Sequence, residues 1–189
     1  MSDQSASLKT NIIRDEELLR TLSQVLRQTG KKIVVTIGSY DLIHVGHSRY
    51  LQAAAGEGDV LIVGVDSDRA IKIYKDETRP MVPEEERLEM LLHTRHVDWV
   101  TLIDDVDEEG SWGFALLRVV QPDIFIAVED SYPPEQLEEI RKLVGELKIL
   151  PRQAETSTSE QIRRAMIAQS QPLVEQLRAL ADQLEQGGS

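Results

Sequence analysis

The chain of 189 residues has no cysteine, which excludes disulfide frameworks, thiolate metal sites and thiol nucleophiles. No apolar run approaches the roughly 20 residues that span a bilayer. Residues 1–10 also lack the apolar stretch and cleavage pattern of a secretory leader. These absences predict a cytoplasmic protein with no membrane partner. Positive charge is in short supply: 33 Asp plus Glu stand against 21 Lys plus Arg, a net charge of −12. A uniformly acidic surface repels phosphate polymers, so no nucleic-acid partner is expected. A small anionic ligand would need donors gathered against the global sign. They gather at the His44/His47 pair, from Lys72 to Arg79, at Arg87, and from Arg152 to Arg164.

What is present is an ordinary globular composition, 41% hydrophobic and 29% charged, in a length that suits one packed core. Leu18, Leu19, Leu22, Val25 and Leu26 recur at helical spacing over Asp15–Gln28, and Gly30 ends the run. Lys32–Ile37 and Asp59–Val65 are short apolar runs rich in β-branched residues, hence buried strands. Val97–Ile103, Asp123–Val128 and Glu146–Leu150 read as three more, with helices over Val45–Ala55, Pro83–Thr94 and Pro133–Val144. Strands apolar on both faces and separated by helices predict a five-stranded parallel sheet covered on both sides. Ligands of such sheets bind beyond the carboxyl ends of the strands, near a switch in strand order. The expected organisation is a tail and leading helix over residues 1–30, a main α/β domain over 31–168, and a C-terminal helix with a frayed end over 169–189. Leu173, Val174, Leu177, Leu180 and Leu184 form one stripe on that last helix, suited to docking on the core or on a partner subunit.

The loop after the first strand reads Gly38-Ser39-Tyr40-Asp41-Leu42-Ile43-His44-Val45-Gly46-His47. Gly38 lets the chain turn close to a ligand. His44 and His47 are three apart where a helix begins, so both imidazoles project from its first turn beside unpaired backbone N–H groups. Gly46 adds no side chain to obstruct a phosphate. Together these groups make an anion cradle. A single histidine is more often an ordinary surface or core residue, and a zinc pair lacks a third ligand at persuasive spacing. His93 and His96, also three apart, read as helix-end residues.

The segment GSYDLIHVGHSRYL, with its H-x-G-H core after strand one, resembles the signature of the cytidylyltransferase-like nucleotidyltransferases. VDSDRAIKIYKDETRPMVPEEERLEML, from Val65, is similar to the family segment running through a mobile lysine loop into an R-P-x-x-P-x-x-x-R helix. PRQAETSTSEQIRR, from Pro151, is similar to the family's closing R-T-E-G-I-S-T-T element. The likeness covers about Glu16 to Ile167. It implies a Rossmann-like doubly wound sheet with extra N- and C-terminal helices. It also implies in-line attack of an acceptor phosphate on the α-phosphorus of ATP or CTP, with pyrophosphate leaving and adenylyl transfer favoured. The acceptor is a small phosphorylated sugar or polyol.

The resemblance gives His44, His47, Lys72, Lys75 and Thr158 catalytic contacts to the triphosphate. Gly38, Ser39, Tyr40, Asp41, Gly46, Asp130, Arg152, Ser157 and Ser159 complete the nucleotide site. Arg79 and Arg87 are assigned to the acceptor's phosphate, and Arg163 and Arg164 flank the last element. Mg²⁺ is implied with the nucleotide, without a protein-only metal cage, and a homodimer is implied. The leading helix and the Lys75–Arg87 stretch look most like heptose-1-phosphate adenylyltransferases. Leu150-Pro151-Arg152 looks more like glycerol-3-phosphate cytidylyltransferases, and a flavin-nucleotide-forming adenylyltransferase is a third branch. Departures stand at Ala127-Val128-Glu129 before Asp130, where the heptose branch has Lys-Gly-Gly-Asp, and at Asp76 and Ile37. They imply an altered acceptor. A module that binds nucleotide without chemistry is the competing reading.

Overall fold

The computed structural model describes residues 11–155 and 158–187, with side chains of the last helix through residue 178. The elements run α1 (Glu16–Gln28), β1 (Ile33–Gly38), α2 (Val45–Ala55), β2 (Val60–Asp66), α3 (Asp68–Tyr74), α4 (Glu84–Leu92), β3 (Trp99–Ile103), α5 (Ala115–Val120), β4 (Ile124–Val128), α6 (Pro134–Leu143), β5 (Glu146–Leu150) and α7 (Thr158–Gly187). The strands form a five-stranded sheet in the order β3-β2-β1-β4-β5, parallel throughout. The order reverses between β1 and β4, so the crevice of a doubly wound sheet opens beyond their carboxyl ends.

Alternation along the strands divides the core into two layers. Ile33, Val35, Phe125 and Ala127 pack with Leu19 of α1, Leu116 and Leu117 of α5, and Ile140 of α6. Val34, Val63, Val65 and Ile126 pack on the opposite face with Tyr50, Leu51 and Ala54 of α2 and Leu88 and Leu91 of α4. Asp15 caps α1 by accepting from the Leu18 N–H, and Gly30 takes the left-handed conformation just after the helix, at φ 74°. The segment before α1 covers the outer edge of β3, where Ile13 N–H donates to Val100 O and Val100 N–H to Asn11 O.

Two helices go beyond the sequence reading. α3 occupies part of the stretch expected to be a mobile lysine loop. Ser67 caps it by accepting from Ala70 N–H, Glu84 accepts from Asp68 N–H, and Ala70 and Ile71 are buried. A seven-residue helix with one buried face is stable only through those tertiary contacts. α5 is shorter still and begins and ends on left-handed residues, Phe114 and Gln121. The chain forms two compact units, one ending at Gln153 and one beginning at Ala154. Residues 169–171, expected at the start of a separate helix, lie inside the continuous α7.

Candidate active site

β1 delivers the chain to the switch point, and the next residues turn sharply. Tyr40 and Leu42 both take positive φ, 49° each, a cost that persists only where surrounding structure enforces it. A Cβ on Gly38 would sit 3.3 Å from the Tyr40 ring, so this position needs a minimal side chain. The Tyr40 ring is buried in the core layer beneath α2, and burial pushes its phenol well above the ordinary value. Tyr40 therefore supports the loop from below, and only its backbone is left to line an open site.

The histidines hold each other through the backbone. His44 is the N-cap of α2, and its Nδ1 accepts from Gly46 N–H at 3.1 Å. The His44 N–H donates back to His47 Nδ1 at 3.3 Å. With each Nδ1 an acceptor, the proton of each neutral ring lies on Nε2. Burial pulls the His44 pKa down. Burial, then the neighbouring His44 and Lys75, bring His47 to about 4, against a weaker opposite pull from Asp41. Both imidazoles are thus neutral Nε2–H donors near pH 7, with ring centroids 4.1 Å apart. Tyr50 fixes the helix that carries them: its hydroxyl meets Thr36 Oγ1 at 2.6 Å and donates to Ile126 O at 2.9 Å, joining α2 to β1 and β4.

Lys75, at the end of α3, donates to Ser39 Oγ at 3.0 Å and so brings a cation to the same loop. Burial and then the charge of Arg79 lower its pKa. Beside it lies Asp66, the last residue of β2, which accepts from the Tyr74 hydroxyl at 2.7 Å. Burial raises the Asp66 pKa, with the Tyr74 bond opposing.

Asp41 and two arginines hold the loop rather than facing solvent. Asp41 is buried and accepts from Arg79 Nε at 2.8 Å and from Met81 and Val82 N–H at 3.0 Å each. Arg87 is wholly buried. Its guanidinium donates to Val82 O at 2.9 Å, to Ser39 O, to Asp66 O at 2.8 Å and to Asp68 Oδ1 at 2.7 Å. One planar fork therefore ties together β2, α3, the first loop and the start of α4, as only arginine could.

A family model for cytidylyltransferase-like proteins matches residues 35–177. The chain belongs to that family. The bifunctional protein HldE of Desulfatibacillum aliphaticivorans is 32% identical over 168 residues, 86% of this chain and 32% of that one. HldE of Nitratiruptor sp. is 39% identical over 114 residues, 60% of this chain and 24% of the relative. The chain thus spans about a quarter to a third of these relatives' length. Among solved structures, a lipopolysaccharide core biosynthesis protein from Thermoplasma volcanium aligns with TM-score 0.53 and 26% identity, over 68% of this chain and all of that one.

Of the residues expected at the site, Gly38, Ser39, His44, Gly46, His47 and Lys75 converge on the carboxyl end of β1. Lys72 is exposed on the last turn of α3, so it stands on a helix and not in a loop. Asp130, exposed and left-handed at φ 62°, follows β4 at the other side of the switch point. Arg152 is exposed just past β5. Thr158 and Ser159 are the first residues of α7, in the second compact unit, and Ser157 lies outside the described residues. Asp66, Tyr74 and Tyr50 were not anticipated. All three carried a signal, since Tyr50 falls inside GSYDLIHVGHSRYL and Asp66 and Tyr74 inside the segment from Val65; in the helical pattern alone Tyr50 reads as one more apolar position.

Proposed function

We propose that this chain transfers a nucleoside monophosphate, preferentially AMP from ATP, to a small phosphorylated sugar or polyol. The carrying observation is the pair of neutral Nε2–H imidazoles held at the N-terminus of α2 beside the switch point. An acceptor phosphate oxygen forms a bond to the α-phosphorus while the bond to the β,γ-diphosphate breaks, so pyrophosphate leaves with the electron pair. The nucleophile is already anionic, and the protein's task is to position reactants and neutralise charge. His44 and His47 donate to non-bridging oxygens, the α2 backbone N–H groups add to them, and Lys75 supplies the cation. Lys72, Asp130 and Arg152 complete the nucleotide contacts within the first compact unit. Arg87 acts by fixing the loop, since its Nε, Nη1 and Nη2 are all engaged within the protein, and Arg79 holds the same loop through Nε and Nη2 on Asp41.

Among the described residues no cluster of three or more His, Cys, Asp or Glu could hold a metal ion. Magnesium enters with the triphosphate, as the family resemblance implies, coordinated by phosphate oxygens and water. A triphosphate substrate favours a cytoplasmic location. A homodimer is the working assembly, and the HldE similarity favours a heptose phosphate as acceptor.

The test incubates ATP or CTP, magnesium and a panel of sugar and polyol 1-phosphates with the protein and follows pyrophosphate. Release that depends on acceptor supports transfer. Nucleotide binding by calorimetry without release across the panel would favour the module that binds without chemistry.

A further inference from the structure

Helix α7 carries an apolar stripe that its own compact unit leaves open. Met166 is 65% exposed, Leu173 57% and Leu177 59%, with Ile167 and Val174 beside them. In the sequence Leu180 and Leu184 continue the spacing, so positions 166, 170, 173, 177, 180 and 184 step alternately by four and three residues. That is the seam spacing of a coiled coil. Pro172, inside the helix, falls off this seam. One flank of the seam reads Gln169, Gln176 and Gln183, and the other Ile167, Val174 and Ala181. No acidic residue occurs on seam or flanks, although the chain carries −12. Self-association through this stripe escapes the like-charge repulsion that opposes it elsewhere.

Charge along the helix selects a direction. Arg163 and Arg164 stand toward the N-terminal end, and Asp182 and Glu185 toward the C-terminal end. Glu160, one turn earlier, pairs with Arg164 at 2.5 Å. Beyond that first turn the signs oppose the helix's own dipole. A second helix running the other way corrects this, since it sets arginines against acids at both ends. The same arrangement places Met166 against the partner's Leu184 and Leu173 against the partner's Leu177. It also sets Val174 beside its own copy and Gln176 beside its own copy, so apolar meets apolar and amide meets amide.

We infer that α7 pairs antiparallel with α7 of a second copy of this chain. This rests on the homodimer reading above and assigns its surface. The absence of native cysteine makes the register directly readable. Met166→Cys and Leu184→Cys proteins, mixed and mildly oxidised, should give a disulfide-linked heterodimer, while neither alone cross-links. Sedimentation equilibrium should show a wild-type dimer and, for Leu173→Glu/Leu177→Glu, a dissociation constant raised more than about a hundredfold by charges forced into the seam. Self-cross-linking of Met166→Cys would overturn the antiparallel pairing. A dimer unaffected by the double glutamate would keep the homodimer but place it on another surface. A monomeric wild type would remove both.

Discussion

Replacing Arg87 by methionine keeps an apolar stem of similar reach and deletes the whole guanidinium. Three backbone oxygens, those of Ser39, Asp66 and Val82, and the Asp68 carboxylate then lose a buried donor. A hydrogen bond from a charged group contributes about 1.5–3 kcal/mol, and breaking a buried ion pair costs about 3–5 kcal/mol. Asp68 keeps about a third of its side chain exposed, so water recovers part of its loss. A net destabilisation of about 4 kcal/mol follows, dominated by the three carbonyls left without partners. With a urea slope of about 2 kcal/mol per molar, the unfolding midpoint should fall by about 2 M. Arg87→Lys should recover less than half of that shift, because one ammonium cannot span acceptors from four separate segments. The assay is urea unfolding followed by far-ultraviolet circular dichroism, paired with steady-state kinetics. An Arg87→Met protein with a midpoint within 0.5 M of wild type (a loss of about 1 kcal/mol) and a large rise in acceptor KM would refute the architectural role. It would return Arg87 to the acceptor's phosphate.

His47→Ala should lower turnover on the order of a hundredfold or more with an unchanged circular dichroism spectrum; near-normal turnover would mean the chemistry lies elsewhere. The His47 ring, with its pKa near 4, should show no proton-NMR titration between pH 5.5 and 8, and adding triphosphate should move its midpoint up because an anion favours the charged ring. For stability the unfolded chain takes up this proton near pH 6.5, whereas the folded one refuses it until about 4. The contribution of His47 is therefore complete above pH 6.5 and falls as pH descends toward 4, a loss that His47→Ala should abolish in a pH series of urea midpoints. Lys75→Met should raise the nucleotide KM and flatten its salt dependence, as measured at two ionic strengths. Gly64→Ala would press its Cβ onto Ile103 and lie 2.8 Å from Leu116 Cδ2, so calorimetric melting should report a loss of about 1–3 kcal/mol.

The sequence alone determined whatever depends on local pattern. β-branched runs at Ile33–Gly38 and Val60–Asp66 had one stable use, as strands buried on both faces. A parallel sheet followed, because intervening helices leave no other crossover. His44-Val45-Gly46-His47 was legible for the same reason: a helix beginning at Val45 puts both rings on its first turn whatever surrounds it. Tertiary structure decided where the long and buried side chains go. Asp41 meets a loop 38–41 residues further on, and Arg87 gathers acceptors 5, 19, 21 and 48 residues away. Local spacing cannot tell an arginine that grips a substrate from one that grips the chain, since the same donors serve both. The histidine tautomers belong to the same class, because the proton's place is set by which nitrogen a folded backbone N–H happens to reach.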